Sequence, residues 1–312
     1  MNFNEKVLTA LGPFPKKTEL KFKVINSEEK QDYTLQTIEY FVEENERVNS
    51  VLLIPKNLTQ NNPAILAIHQ HNGEWHLGKS EVIGTAGDVM YHYGLELCLR
   101  GYVVLAPDLL CFEERINDEF LENRDAHQRY EKFEFSNRIL AGSCLQTKYL
   151  HDLAVAVDVL ESLEFVDSNN IGVIGHSLGG QEATWLTWYD QRIKVGISSC
   201  GIGQVDTIIR DHITHNSALY VPNFQNIGDT SDIVAHIAPR SFLMTSGLKD
   251  GALFPVDGVE KIVNVATDQY ETFGKSENFK AIIFDDGHSF NDDIKIEVYD
   301  WLDQKLKTTN EA

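Results

Sequence analysis

The chain has 312 residues, of which 42% are hydrophobic, 24% charged and 10% aromatic; this balance is typical of a folded globular protein and excludes a disordered chain. Its 47 acidic and 27 basic residues give a formal net charge of −20, which repels phosphate backbones and anionic lipid surfaces at long range. Nucleic acid is therefore not an expected partner.

The cysteines and the first residues indicate where the protein works. The four cysteines lie far apart and form no C-x-x-C pair, which is typical of reduced thiols in a cytosol. The start of the chain lacks the apolar core of a secretion signal, and apolar runs such as 64–68 are about a quarter of a membrane span. We therefore expect a cytoplasmic protein that does not contact a membrane.

The predicted elements begin with an antiparallel pair, because two extended runs between residues 33 and 54 flank a polar turn at 43–47. Beyond this pair, short apolar runs alternate with helical segments, which predicts parallel strands joined by helices. The predicted strands are 64–68, 102–106, 171–174, 193–197, 242–245 and 279–284. Helices are predicted at 142–163 and after Asn291, whose side chain can cap the closing helix.

Residues 109–140 and 201–240 interrupt this alternation. Both segments follow predicted strands, and ligands of open α/β folds bind at the carboxyl edge of the sheet, so we interpret both as walls or a lid of a site. The sequence has no repeat and no linker. Residues 1–312 are therefore predicted to form a single domain with these two insertions, ending in a frayed tail at 308–312.

The strongest chemical signal is the segment IGVIGHSLGG at 171–180, where a buried-strand pattern leads into G-x-S-x-G and then a helix. In such a turn a strained serine, here Ser177, projects its Oγ, and Gly175 and Gly179 supply the room that it needs. The helix that follows offers unpaired N–H groups to a developing oxyanion, with the Leu178 N–H as the first donor.

A nucleophilic serine needs a histidine base and an acid that orients it, in the chain order Ser, Asp, His. His288 follows the last predicted strand and is the one histidine beyond Asp250, which follows the strand before it. Asp257 is a rival acid, but Pro255 before it indicates the start of a helix that faces away. Asp285 and Asp286 also compete, but they share the loop of His288 and are poorly placed to orient its Nδ1.

The loop after strand 64–68, HQHNGEWH at 69–76, is expected to supply the second oxyanion donor. The backbone N–H of His71 is favoured, with that of Gln70 as the second choice. An alternative is a metal site built from His69, His71 and His76, but the loop has no Asp, and an H-x-H pair on a strand end points to opposite faces. We therefore predict neither a metal nor another cofactor.

The sequence resembles the α/β-hydrolase superfamily over nearly its whole length, and within it the dienelactone-hydrolase and acetyl-xylan-esterase branch. The motifs that carry the resemblance are HQHNGEWHLGKSE at 69–81, APD at 106–108, FEER at 112–115, GHSLGG at 175–180, GLKDGALFP at 247–255 and GHSF at 287–290. The resemblance implies an α/β-hydrolase fold with a mostly parallel, doubly wound sheet, an antiparallel N-terminal hairpin and lid insertions at the carboxyl edge.

For the site, the resemblance implies Ser177 as nucleophile, His288 as general base and then acid, Asp250 as the orienting acid, and an oxyanion hole from the N–H groups of Leu178 and His71. Dienelactone hydrolases use a cysteine nucleophile, so the serine favours ordinary ester substrates. Further candidates for substrate contact, taken from the same motifs, are Gln70, His176, Glu113 and Arg115.

These observations predict a serine-dependent carboxylic ester hydrolase that acts on small acyl esters, acetyl esters of carbohydrates included, through an acyl-enzyme. The expected partner is a small-molecule ester, and the sequence leaves open whether the chain forms a homo-oligomer. One alternative is a serine peptidase of the prolyl-oligopeptidase type, which shares G-x-S-x-G-G but usually carries a propeller domain for which this chain has no room. The other is a non-catalytic binding protein with a hydrolase-like fold.

Overall fold

A single mixed sheet organises the molecule. The computed structural model describes residues 1–307, and nine strands lie within them. These are β1 (Phe22–Glu29), β2 (Tyr33–Glu43), β3 (Glu46–Pro55), β4 (Asn62–Ile68), β5 (Val103–Pro107), β6 (Val166–His176), β7 (Ile193–Ser199), β8 (Ser241–Gly247) and β9 (Phe279–Phe284). Their order in the sheet is β1-β2-β3-β5-β4-β6-β7-β8-β9.

The first strands are antiparallel and the rest are parallel. β1 to β3 form a meander, β3 pairs antiparallel with β5, and β4 to β9 pair in parallel, which confirms the predicted architecture and all six predicted parallel strands. The sequence analysis missed β1 because every residue in it is exposed, so it carries no apolar alternation. The carboxyl ends of the parallel strands meet at one edge.

Ten helices accompany the sheet within residues 1–307. They are α1 (Phe3–Leu11), α2 (Lys79–Val82), α3 (Tyr93–Leu99), α4 (Arg124–Leu140), α5 (Leu145–Ser162), α6 (Leu178–Tyr189), α7 (Val205–Arg210), α8 (Thr230–Ala235), α9 (Val256–Thr272) and α10 (Asp292–Leu306). The predicted cap of α10 is confirmed, since Asn291 Oδ1 accepts a hydrogen bond from the Ile294 N–H at 3.1 Å. No helix in this part of the chain has the length and apolar composition that a membrane crossing requires.

The sheet separates two apolar cores. Alternate residues of β4 enter opposite layers: Leu66 and Ile68 pack with α1, α5, α6 and α9, while Ile65 and Ala67 pack with α3 and α10. Because β4 is apolar on both faces, it lies in the middle of the sheet under both layers. The predicted frayed tail at 308–312 lies outside the described residues.

A buried ionic cluster anchors the first insertion to the body. The guanidinium of Arg115, only 8% exposed, donates to Asp152 Oδ2 on α5 at 2.7 Å and to Glu46 at the β2–β3 turn. The fully buried Lys148 ammonium lies 2.9 Å from Asp152 Oδ1 and 2.7 Å from Glu46 Oε2. Lys148 Nζ also lies 2.6 Å from Glu43 Oε1, so three carboxylates surround the two cations. Removal of one cation leaves buried negative charge without its partner.

The variant Arg115→Met keeps much of the side-chain volume but leaves Asp152 and Glu46 short of one cation. We expect the free energy of unfolding, measured by urea denaturation, to fall by about 3 kcal/mol or more. The matched control is Arg129→Met on α4, an exposed arginine without a described partner, for which a change within about 0.5 kcal/mol is expected. Equal stabilities of the two variants would contradict the role of the cluster.

Candidate active site

Ser177 occupies a strained turn between β6 and α6. It has φ 55° and ψ −120°, a conformation that is costly for any residue with a side chain. Its N–H donates to the Ser199 carbonyl at the end of β7 at 2.8 Å, and its own carbonyl accepts the Gln181 N–H at 2.9 Å. The surrounding backbone therefore fixes the strained conformation and projects the hydroxyl from the sheet edge.

Two glycines permit this turn because the backbones around it nearly touch. A Cβ on Gly175 would lie 2.2 Å from the Gly179 carbonyl oxygen, and a Cβ on Gly179 would lie 2.1 Å from the Ile68 carbonyl oxygen at the end of β4. No side chain fits at such distances. The spacing of the G-x-S-x-G motif is thus a steric requirement of the crossing between α6 and β4.

The structure brings Asp250 and His288 together. Asp250 lies just beyond β8 and is 4% exposed; its Oδ2 accepts a hydrogen bond from His288 Nδ1 at 2.7 Å. Asp257, the rival acid, lies in the first turn of α9 with an exposed side chain that pairs with Arg210. The structure therefore favours Asp250 as the residue that orients the imidazole, leaving His288 Nε2 free to act on a hydroxyl.

Ser177 and His288 line the same cavity, which has a volume of about 720 Å³. Its walls come from the loop 71–75 after β4, from α4 in the first insertion and from residues 214–217 in the second. Both predicted insertions thus contribute side chains to the site. The Ser177 hydroxyl has no hydrogen-bond partner within residues 1–307. Hydrogen bonds between catalytic groups are commonly long in an enzyme without substrate and shorten when substrate binds.

Glu131 of α4 joins the loop after β4 to the second insertion. Its Oε2 accepts hydrogen bonds from His71 Nε2 at 2.9 Å and Trp75 Nε1 at 2.6 Å, and its Oε1 accepts one from the Ser217 N–H at 3.2 Å. Burial raises the pKa of Glu131, but these hydrogen bonds, that of His71 first, outweigh it and lower the pKa to about 2. A permanent carboxylate therefore holds the loop that carries the predicted second oxyanion donor.

Sequence reasoning missed Glu131 because α4 is rich in charged residues, so that one glutamate among them resembles a solvated helix face. Glu131 is buried because the second insertion packs over it, and this contact lies far away in the sequence. The one local signal is that Ala126, His127, Tyr130 and Glu131 form a buried stripe at helical spacing.

The three histidines of the loop after β4 have separate partners. His69 is buried, its Nε2 accepts the Leu109 N–H at 3.0 Å, and burial lowers its pKa to about 4. His71 binds Glu131, and His76 lies beside Glu74 near the surface. Among the described residues these three do not bring their nitrogens together.

A different group, Cys200, Asp250 and His288, has ligand atoms within 4.8 Å of one another. Metal binding there would need a thiolate, but burial first, and the nearby Asp250 second, raise the pKa of the Cys200 thiol to about 12. The protonated thiol and the existing His288–Asp250 hydrogen bond fit a serine-hydrolase triad better than a metal ligand set.

Four residues predicted to contact substrate, Gln70, His176, Glu113 and Arg115, lie outside the cavity wall, so the structure does not support these predictions. The Gln70 amide is buried and donates to Glu81 at 2.9 Å. Glu113 accepts hydrogen bonds from Lys79 Nζ at 3.1 Å and the Ser80 N–H at 3.0 Å.

His176 and Arg115 are likewise structural. His176 is fully buried behind His288, its Nδ1 lies 3.0 Å from Ser199 Oγ, and burial together with His288 lowers its pKa well below the ordinary value. Arg115 belongs to the ionic cluster described above. The side chains of all four residues face other protein groups.

The fold and the site together define an α/β hydrolase. The family model "Prolyl oligopeptidase family" matches residues 141–309, more than half of the chain. The chain therefore belongs to the prolyl oligopeptidase family of hydrolases. The matched segment contains Ser177, Asp250 and His288.

The chain is also similar to individual proteins. The chain is 28% identical over 287 residues to the Bacillus subtilis (strain 168) protein named "Putative hydrolase YtaP", covering 91% of this chain and 92% of that one. A Bacteroides fragilis NCTC 9343 protein titled "putative acetyl xylan esterase" superposes with a TM-score of 0.74 at 18% identity, covering 90% of this chain and 73% of that one. The acetyl xylan esterase of Paenibacillus sp. R4 superposes at 0.65 and 16% identity, covering 97% and 92%. These superpositions establish the fold.

The variant Gly179→Ala tests whether the close approach of α6 to the end of β4 requires a glycine. The new methyl group meets the Ile68 and His69 carbonyls, so α6 must shift and carry the Leu178 N–H with it. We expect hydrolysis of an aryl acetate to fall by about a hundredfold or more, with a loss of stability of about 1 to 3 kcal/mol. Gly251→Ala, whose Cβ enters open space, serves as the control. Comparable activity of the two variants would contradict the steric interpretation.

Glu131→Gln tests the loop anchor, since a glutamine cannot accept all three hydrogen bonds. We expect kcat to fall roughly tenfold to a hundredfold, as for a displaced oxyanion donor. The free energy of unfolding should fall by about 1 to 3 kcal/mol. Glu134→Gln, which removes an ion pair with Arg138 from the same helix, is the matched control. An unchanged kcat in Glu131→Gln would show that the loop holds its shape without the carboxylate.

The Glu131 carboxylate makes the stability of the folded protein fall as the pH is lowered. Folding lowers the pKa of Glu131 from 4.5 to about 2, so its contribution to stability is present above 4.5 and is lost as the pH falls toward 2. In Glu131→Gln this pH-dependent loss of stability should be absent. Urea denaturation of both proteins between these pH values measures it.

Proposed function

We propose that the protein is a serine-dependent carboxylic ester hydrolase that acts on small acyl esters, acetyl esters among them. The observation that carries the proposal is the 2.7 Å hydrogen bond from His288 to the buried Asp250, since His288 lines a cavity that also holds Ser177 on its strained turn. A buried carboxylate that orients an imidazole beside a projecting hydroxyl is the arrangement that activates a serine.

In the first half of the reaction, Ser177 Oγ attacks the ester carbonyl carbon while its proton passes to His288 Nε2. Asp250 holds the imidazole through Nδ1 and stabilises the imidazolium that forms. The bond between the carbonyl carbon and the alcohol oxygen then breaks. The proton on Nε2 moves to that oxygen, and the alcohol leaves.

In the second half, water loses a proton to His288 Nε2 and attacks the acyl carbon. The bond to Ser177 Oγ breaks, Oγ regains the proton, and the carboxylic acid leaves. In both halves the negative carbonyl oxygen is stabilised by the Leu178 N–H, which lies in the first turn of α6, and by the backbone N–H of His71.

The cavity supports a small substrate. A volume of about 720 Å³ lies within the range of sites that enclose small molecules. Acetyl xylan esterases and glucuronoyl esterases, including the Solibacter usitatus glucuronoyl esterase at a TM-score of 0.66 and 16% identity, share this fold and support an ester as the substrate.

A peptidase is the second candidate, and the family match supports it. Prolyl-oligopeptidase chemistry would need the same three residues but an amide in place of the ester. A panel of aryl esters and aminoacyl amides with the same acyl groups separates the two, because an esterase leaves the amides essentially uncleaved.

The variant Ser177→Ala removes the nucleophile. We expect kcat on an aryl acetate to fall by roughly four orders of magnitude or more, and stoichiometric labelling by a fluorophosphonate to disappear. Ser136→Ala, at an exposed serine of α4, is the control and should keep both. Full esterase activity of Ser177→Ala would refute the mechanism, and an unlabelled wild type would support a non-catalytic protein.

A further inference from the structure

One wall of the cavity is a stripe of polar side chains on α4. Arg124, Gln128 and Lys132 are spaced four residues apart, so they lie on one face of the helix, and all three line the cavity that contains Ser177 and His288. Within residues 1–307, neither cation contacts a carboxylate, and the Gln128 amide has no hydrogen-bond partner. The stripe therefore offers unused hydrogen-bond donors and positive charge to the cavity.

Arg124 lies directly over the loop that carries the second oxyanion donor. A Cβ on Gly73 would lie 2.3 Å from Arg124 Nη2, so the guanidinium fills the space that the glycine leaves. Arg124 is also the first residue of α4, where the partial positive charge of the helix end disfavours a cation. Its position is unfavourable for helix stability and suits the binding of an anion instead.

The carboxylates near the cavity are already bound to groups other than these two cations. Glu131 is the one carboxylate in the described wall, and both of its oxygens accept hydrogen bonds from His71, Trp75 and Ser217. Asp250 is buried and bound to His288. In a chain with 47 acidic and 27 basic residues, a described wall that carries two cations, Arg124 and Lys132, against one carboxylate, Glu131, has the opposite sign of charge to the chain as a whole.

His215 also lines this cavity. Its Nδ1 lies 3.1 Å from the Asn216 Nδ2, which donates, so Nε2 carries the proton. That Nε2 is buried and has no partner within the described residues.

We propose that this cavity selects esters that carry a carboxylate, in the acyl or the alcohol half, which Arg124 and Lys132 bind while Ser177 attacks the ester. The inference rests on the proposed esterase function and adds the substrate class to it. Arg124 and Lys132 are specificity-determining residues in this scheme, and they take no part in bond making or breaking.

The test compares matched esters. On the acyl side monomethyl glutarate is compared with methyl pentanoate, and on the alcohol side 4-acetoxybutanoate with butyl acetate. We expect kcat/KM to be roughly tenfold higher for the carboxylate member of at least one pair, mainly through KM, and this ratio to shrink as salt rises from about 0.05 M to about 0.5 M. The pair that shows the preference identifies which half carries the anion.

Charge-removal variants assign the preference to the stripe. Arg124→Gln and Lys132→Gln should each lower the selectivity ratio about threefold or more, and the double variant should abolish it. Arg129→Gln removes the same charge from an exposed position of α4 that does not line the cavity, and should leave the ratio unchanged. A wild type without a preference, or a ratio that ignores Arg124 and Lys132, overturns the inference.

A binding measurement separates this inference from the esterase proposal. In Ser177→Ala, calorimetry with monomethyl glutarate and with 4-acetoxybutanoate should detect binding of at least one of them, and this binding should disappear when Arg124→Gln and Lys132→Gln are added. If no ester is hydrolysed by the wild type, the esterase function fails, yet the calorimetry still decides whether the cavity holds a carboxylate. If neutral esters are hydrolysed and neither carboxylate ester binds, the esterase proposal stands and the inference is wrong.

Discussion

The contact between the start of α6 and the end of β4 governs the site. The Gly179 backbone lies so close to the Ile68 carbonyl that even a methyl group would overlap it. This approach sets the turn at Ser177, aims the first N–H groups of α6 at the sheet edge, and places the loop after β4 beside them. Strain at Ser177 is tolerated because the Ser199 and Gln181 backbone hydrogen bonds hold the turn from both sides.

Around this contact, polar groups of the site divide into those that act and those that position. His288 and Ser177 face the cavity, whereas Asp250 and Glu131 are buried and bind their partners from behind. Both carboxylates are costly to bury, and each is compensated by hydrogen bonds from the group that it orients. The same logic explains why Arg115 and Glu113, charged and close in sequence to the site, serve the framework instead.

The net charge of the chain is negative, whereas Arg124 and Lys132 bring positive charge to the wall of the cavity. The net charge of −20 sets the long-range field, but a cavity is governed by the few groups that line it. The carboxylate in the wall of this cavity is held by three hydrogen bonds, while Arg124 and Lys132 have no carboxylate partner within residues 1–307. The carboxylate-bearing substrate that we propose is therefore compatible with the acidic net charge of the chain.

The parallel strands, the turn at Ser177 and the chain order of Ser177, Asp250 and His288 could be read from the sequence, because each depends on neighbours along the chain. Strand β1 could not, since its exposed residues lack the apolar alternation that reports a buried face. The proximity of Asp250 and His288 was an expectation that only the sheet order could test, by bringing the ends of β8 and β9 side by side.

The functions of Glu131, Arg115 and His176 depend on segments far apart in the chain, and no local pattern encodes which charged side chain will face a cavity and which will be covered. Local sequence thus determined the strands, the serine turn and the type of chemistry that they suit. Tertiary structure alone decided which polar groups line the cavity, because burial and pairing arise from contacts between distant segments.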